Sequence, residues 1–514
     1  MFLSAVLCLA ACDAGSDPAT NLSAVADPAV DYAAKYADAV PTFDAQLNAV
    51  SLENPGFKGL IGSDDGTEVI VLVDKPVAQA RGTSSALATD LVDRLGLDPS
   101  TLTFAEPAAA QARPSLDGGP AVATERPDFH VLYDIKTGLR RFLFETDLVN
   151  GLDLDETTGR VFVGASSEAA IEQLRAAMTP DELANVDFGI MQPAIDQILV
   201  LDGATSPESG ATSSSNRSLR NSPFGPMIGG TEIDFLDSSG GVIVCTQGPV
   251  VRELSSGSVG FLTASHCTFD RTTILRIPYY QPYATTPADL VGYETKEPAF
   301  RSGTFITDGF YADVAFVRTQ AGISLRGQMT SADNCTRTSA DCLENGIIND
   351  VSGTVQYLTV NAQVIKTGRS TGTTAGYISE TCFDRRGGDD RKNLCQNIVR
   401  YSPNIPSPTQ MSDRGDSGSP VLSSGGVPGA ARPIAGVQWG AEPGDTSMFY
   451  YSPWENIGTT GRAGSAYGLT VEVLTAGQTL SNSTSTGGGG GTGGGCYTPP
   501  GGGADPNQGL PQCP

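Results

Sequence analysis

Histidine is nearly missing: the 514 residues carry two, His130 and His266. So few imidazoles exclude a histidine-rich metal centre. The ten cysteines contain no Cys-x-x-Cys pair, so a structural zinc site lacks its ligands and no metal or cofactor is expected. Positive charge is also scarce. Lys and Arg total 32 against 57 Asp and Glu, the net charge is −25, and no basic run stands out. Such a surface repels nucleic acid, which removes that class of partner. Charged residues of both signs make up only 17% of the chain, while glycine reaches 61 residues, a balance that favours strands and turns over long surface helices. Length alone suggests two to four domains, and 39% hydrophobic residues suffice for sizeable cores.

Eight of the cysteines lie from residue 245 onward and fall as near neighbours: Cys245 and Cys267, Cys335 and Cys342, Cys382 and Cys395, Cys496 and Cys513. Even numbers in local pairs predict a disulfide framework and therefore an oxidising compartment. At the start, Phe2 to Ala11 is apolar but too short to span a bilayer. It ends Leu9-Ala10-Ala11-Cys12, which resembles a bacterial lipoprotein processing site. That reading makes residues 1–12 a signal peptide and gives membrane attachment through a lipidated Cys12. No Lys or Arg precedes the run, so either the true start lies upstream or Cys12 is an ordinary residue near a plain cleavage site.

Residues 13–40, rich in Ala, Asp and Ser, are expected to be a tether. The stretch 41–205 predicts an α+β unit without cysteines. Its strands are expected at Thr67–Asp74, Phe129–Asp134, Arg141–Glu145 and Arg160–Gly164, its helices at Ser84–Leu97 and Ser167–Met178. His130, between Phe129 and Val131, is expected to be a strand histidine without chemistry. Residues 206–226 are Ser-, Asn- and Pro-rich, a linker open to proteolysis. From 227 to 476, short β-branched and aromatic runs recur between Gly, Asn and Pro turns, which predicts an all-β unit. Residues 477–514 become a Gly-rich tail that contains the last cysteine pair.

Three segments carry chemistry: Phe261-Leu-Thr-Ala-Ser-His-Cys267, Tyr311-Ala-Asp-Val-Ala-Phe-Val317 and Arg414-Gly-Asp-Ser-Gly-Ser-Pro420. A serine hydroxyl is a weak nucleophile at neutral pH and needs an adjacent base. Imidazole has the matching pKa, and a carboxylate behind it fixes its tautomer. The predicted catalytic residues are therefore Ser417 as nucleophile, His266 as base and Asp313 as its orienting carboxylate. The backbone N–H groups of Gly415 and Ser417 form the expected oxyanion hole, and glycines at 415 and 418 allow the tight bend around the serine.

These motifs resemble the chymotrypsin–trypsin family, in particular its secreted bacterial branch, the streptogrisins and α-lytic protease. Further matches are Met227-Ile-Gly-Gly-Thr231 at a mature start, Gly368-Arg-Ser-Thr-Gly-Thr-Thr-Ala-Gly376, Ile434-Ala-Gly-Val-Gln-Trp-Gly440 and Phe449-Tyr-Tyr-Ser-Pro453. The resemblance covers about half the chain. It implies a trypsin-like protease domain of two antiparallel six-stranded β-barrels over 227–476, preceded by a smaller α+β pro-region that serves as folding chaperone and inhibitor. It implies a Cys245–Cys267 bridge at the histidine loop and a substrate pocket near Met411, Trp439 and Gly440, suited to a medium apolar residue. It also implies a buried Arg369–Asp416 ion pair. Departures are Gln438 where a serine is usual, Ser419 for a glycine, and no cysteine to tie the Ser417 segment to the Trp439 strand.

The function expected is a secreted or envelope-anchored serine endopeptidase acting on protein or peptide substrates. It would be made as a zymogen and cut after Arg217, Arg220 or Met227. The alternatives are a protease-fold esterase and a catalytically silent envelope binding protein.

Overall fold

The computed structural model describes residues 27–483, apart from positions 28, 65, 75–80, 108–125, 198, 202–225, 238–239, 269–276, 282–283, 285, 298–300, 304–305, 333–343, 389, 406, 425–429 and 459–468. Cys12, Cys335, Cys342, Cys496 and Cys513, and the cleavage candidates Arg217 and Arg220, lie outside the described residues.

In the N-terminal half, helix Phe43–Glu53 starts at Thr42, whose hydroxyl accepts from the Ala45 N–H. A small sheet pairs Phe57–Gly62 antiparallel with Val69–Val73, which runs parallel to Leu102–Ala105. Helix Arg81–Leu95 covers most of the stretch expected to be helical, and Glu168–Ala177 is capped by Ser167. One expectation fails. The two strands read at Phe129–Asp134 and Arg141–Glu145 are a single helix, Phe129–Glu145. Phe129, Leu132, Tyr133, Leu139, Phe142 and Leu143 recur at helical spacing and all enter one core, a tertiary demand that overrides the β-preference of the individual residues. His130 therefore sits on this helix, where its Nδ1 lies 3.1 Å from Ser51 Oγ.

Beyond the linker, strands dominate. Lys392–Arg400, Met448–Pro453, Arg432–Ala441, Pro420–Ser423, Gln363–Gly368 and Gly372–Arg386 pair antiparallel in that order. Gly372–Arg386 then pairs back onto Lys392–Arg400, closing a circuit. A second path has nine strands: Val471–Val473, Val250–Glu253, Val259–Thr263, Ala315–Thr319, Leu290–Lys296, Pro278–Tyr280, Glu232–Leu236, Val242–Thr246 and Leu199–Leu201. It exceeds the six strands expected, in part because Leu199–Leu201, from before the linker, adds an edge strand.

The two halves share structure. Strand Gly372–Arg386 runs past the circuit and pairs with Val149–Asp155 through Asp384 and Arg385. Helix Phe129–Glu145 lies over this junction. Its Arg140 donates to both Asp384 oxygens at 2.6 and 3.1 Å and to Asp38 at 2.8 Å, with all three side chains sealed from water. Lys136 contacts Asp44 at 2.7 Å and the Cys382 carbonyl. Buried ions of this kind fix geometry, since desolvation offsets most of their attraction. Burial pushes the Asp44 carboxyl up to about 6, against the opposing pull of Lys136.

Replacing Arg140 by Met leaves Asp38 and Asp384 buried without their cation. The loss is expected to be about 3–5 kcal/mol, seen as a lower urea midpoint for the full chain. An unchanged midpoint would show that the pair does not hold the halves together.

Candidate active site

Strand Val259–Thr263 ends in a single tight turn, Ser265–Cys267, and the Cys245–Cys267 disulfide pins that turn to strand Val242–Thr246. His266 is thereby held in the interior, 2% exposed. Asp313 precedes strand Ala315–Thr319, the antiparallel neighbour of the histidine strand. Its Oδ2 lies 2.9 Å from His266 Nδ1, while its Oδ1 accepts from Ser265 Oγ at 2.7 Å and from the His266 N–H at 3.0 Å. The Asp313 N–H donates to Ser452 Oγ at 2.9 Å. A carboxylate can only accept, so His266 carries its proton on Nδ1 and presents a lone pair on Nε2. That Nε2 is 2.6 Å from Ser417 Oγ. The structure thus brings together the three residues singled out in the sequence.

Ser417 rides on a loop with Gly415 at φ +98° and Gly418 at φ +93°. A side chain at 418 would run into the Thr246 carbonyl, so only glycine fits there. The N–H groups of Gly415 and Ser417 converge on one oxygen, the backbone carbonyl of Gln197, at 2.6 and 3.4 Å. Gln197 comes from the N-terminal half and is 4% exposed.

Asp416 corrects an expectation. Its partner is Lys366, with Nζ 2.8 Å from Oδ2, and not Arg369. The chain reverses between Gly368 and Gly372. This turn directs the Ser370 and Thr371 N–H groups at Asp416 Oδ1, at 2.8 and 3.2 Å, and the Thr371 hydroxyl at Oδ2, at 2.7 Å. Arg369 points the other way, onto Glu232. Burial lowers the Lys366 ammonium pKa, and the Asp416 charge opposes that shift.

Trp439 is buried, stacks on Tyr450 with centroids 5.2 Å apart, and donates from Nε1 to Gln396 Oε1 at 2.9 Å. Gly440 pairs with Asp196, and a Cβ at 440 would stand 2.9 Å from the Ile195 carbonyl. Met411 is fully buried in an apolar cluster with Val364, Val399 and Phe449. Hydrogen bonds replace the missing disulfide between the serine loop and the Trp439 strand. The Gly418 N–H donates to the Gln438 carbonyl at 2.8 Å, the Gln438 N–H to the Ser419 carbonyl at 2.9 Å, and Gln438 Nε2 to Ser412 Oγ at 2.6 Å. The second described disulfide is Cys382–Cys395.

Sequence reasoning missed Arg391. Its Nη1 lies 3.0 Å from Asp313 Oδ2, and its Nη2 contacts Asp196. The signal was available: Asp384-Arg-Arg-Gly-Gly-Asp-Asp-Arg-Lys392 is a dense charged run between two cysteines in a chain otherwise poor in charge. Asp196, His266 and Asp313 could also be grouped as metal ligands. The guanidinium already supplies positive charge to both carboxylates there, and His266 is committed to Asp313 and Ser417.

No family model and no curated protein matches the chain. Among solved structures it is similar to Thermobifida fusca Protease A (TM-score 0.32, 19% identity, covering 49% of this chain and 100% of that one). It is similar also to Nocardiopsis protease (0.29, 17%, 45% and 93%) and Cellulomonas bogoriensis chymotrypsin (0.28, 21%, 45% and 92%). Scores this low leave the weight on the chain's own geometry.

Lys366→Met strands the Asp416 charge in the interior. It should cost about 3–5 kcal/mol, read as a fall in thermal midpoint. Retained stability would mean that the four hydrogen bonds to Asp416 from Asp413, Ser370 and Thr371 suffice alone.

Proposed function

We propose that this chain is a secreted or envelope-anchored serine endopeptidase, made as a precursor and acting on proteins or peptides. The observation that carries the reading is the continuous contact Asp313–His266–Ser417, 2.9 Å on one imidazole nitrogen and 2.6 Å on the other. Ser417 Oγ attacks the substrate carbonyl carbon while His266 Nε2 takes its proton. Asp313 holds the imidazole in the productive tautomer and stabilises the imidazolium. The developing oxyanion is received by the Gly415 and Ser417 N–H groups, which are already in place. His266 then protonates the leaving amine, and water, activated by the same imidazole, releases the acyl group.

An oxidising compartment is supported by two described disulfides. Among the described residues no helix is long and apolar enough to cross a membrane. The N-terminal half acts as pro-region, assisting folding and inhibiting the site. The buried ion pairs it makes with strand Gly372–Arg386 support that role.

Wild-type protein is expected to label with a fluorophosphonate probe and to digest casein, and Ser417→Ala should do neither. Asp313→Asn should lower kcat by about 10⁴-fold by presenting the wrong tautomer. Absence of labelling in protein freed of its N-terminal half, including the segment around Gln197, would overturn the reading. A chain lacking residues 28–205 should fail to regain activity after denaturation unless the missing piece is added in trans. Unaided recovery would remove the folding role.

A further inference from the structure

The Gln197 carbonyl occupies the pocket that the proposed mechanism reserves for an oxyanion, and the chain on both sides of it is held as well. Before it, Ile195–Asp196 pairs antiparallel with Gly440–Ala441, and the Gln197 N–H reaches the Trp439 carbonyl at 3.4 Å. After it, Leu199–Leu201 pairs antiparallel with Val242–Val244, next to the cysteine that pins the histidine turn. An inhibitory tail that ended at the pocket would be gripped on one side only. Here paired backbone lies on both sides of the captured carbonyl, Ile195–Asp196 before it and Leu199–Leu201 after it, and the peptide bond from Gln197 to the next residue in the sequence follows that carbonyl directly.

Asp196 adds a second point of recognition. Its carboxylate meets Arg391 Nη2, while Nη1 of the same guanidinium lies 3.0 Å from Asp313 Oδ2. Asp196 Oδ1 stands 3.8 Å from His266 Nδ1. One cation therefore binds both the residue before Gln197 and the carboxylate that orients the base. An acidic residue at that place draws the guanidinium charge onto itself. Without it, Arg391 competes with His266 for Asp313 Oδ2 undivided. Electrostatics of this kind acts on the chemical step as well as on binding.

We infer that the segment 195–201 is the site's own substrate, cut between Gln197 and Ile198, and that Arg391 reads an acidic residue directly before the attacked one. The inference rests on the endopeptidase reading and adds to it a processing site and a substrate class. In the reaction Ser417 Oγ forms an ester with the Gln197 carbonyl carbon and the C–N bond to Ile198 breaks. The serine proton passes through His266 to the Ile198 amine. Water then hydrolyses the ester, leaving a carboxylate on Gln197 and a free serine. The attacked residue is thus a glutamine, in place of the medium apolar residue expected. Gln197 Oε1 is buried with no hydrogen-bond partner, so selection falls on Asp196, where a charged partner waits.

The test is the N-terminal sequence and intact mass of fragments from purified full-length precursor, beside Ser417→Ala and Asp196→Asn. Wild type should yield a fragment beginning at Ile198. Ser417→Ala should stay whole, and Asp196→Asn should be cut about tenfold more slowly. A peptide spanning residues 193–203 should be cleaved after Gln by the processed enzyme, and its Asp196→Asn counterpart should lose about tenfold in kcat/KM with part of the loss in kcat. In Arg391→Gln enzyme the two peptides should be cut at equal rates. Probe labelling and casein cleavage with the Gln197–Ile198 bond intact would overturn this inference and leave the endopeptidase reading standing. A terminus at Ile198 in the Ser417→Ala precursor would assign the cut to another protease and overturn self-cleavage. Loss of labelling and casein cleavage altogether would overturn the underlying reading instead.

Discussion

Asp313 is a carboxylate sealed from water, and the site depends on how its charge is met. An unpaired ion at such a place would cost several kcal/mol, so every neighbour must supply a donor. The donors arrive from separate parts of the chain: Ser265 and His266 from the disulfide-pinned turn, and Arg391 from the charged loop before strand Lys392–Arg400. Ser452, on strand Met448–Pro453, takes the Asp313 N–H. Its own hydroxyl donates to Gln396 Oε1, the oxygen that also receives the Trp439 indole, while Gln396 Nε2 reaches the Tyr311 carbonyl. The nine-stranded sheet and the closed circuit therefore meet on one set of hydrogen bonds. Positioning His266 against Ser417 follows from satisfying them.

The same logic operates where the N-terminal half joins. Arg385 reaches the Asn150 carbonyl and Glu442, and Arg386 reaches the Val149, Leu143 and Thr146 carbonyls. These are long-range bonds from consecutive residues of one strand. They anchor Val149–Asp155, and through the sheet Val186–Ile190, close to the start of the segment that enters the cleft. Ala194 closes the anchor by donating to the Arg386 carbonyl at 2.9 Å. Directly after that anchor, Ile195–Asp196 has reached the Gly440 strand.

Legibility varied with the range of the interaction that decides each element. Arg160–Ala165 and Glu168–Ala177 were readable because alternation and a serine cap are local signals. Helix Phe129–Glu145 was misread because Phe, Val, Tyr and Leu suit strands in isolation. Its helical state comes from a core contributed by Leu47, Phe57 and Leu91, distant in sequence. The resemblance implied Arg369 as the partner of Asp416; Lys366 lies three residues before it, and only the reversal at Gly368–Gly372 settles which cation faces Asp416.

What the sequence determined by itself is the set of candidate chemical groups: one imidazole in a Ser-His-Cys segment, a carboxylate in an apolar run, and a serine between glycines. Those are residue identities with few substitutes, and local backbone preference shapes them. Tertiary structure alone decided which groups stand against that chemistry, namely Arg391 on Asp313, Lys366 on Asp416 and Gln197 between the N–H groups of Gly415 and Ser417. Each of these is an electrostatic or hydrogen-bonded choice among several candidates of the same sign. Strand pairing over long sequence distances selects the one within about 3 Å, and no local pattern encodes that selection.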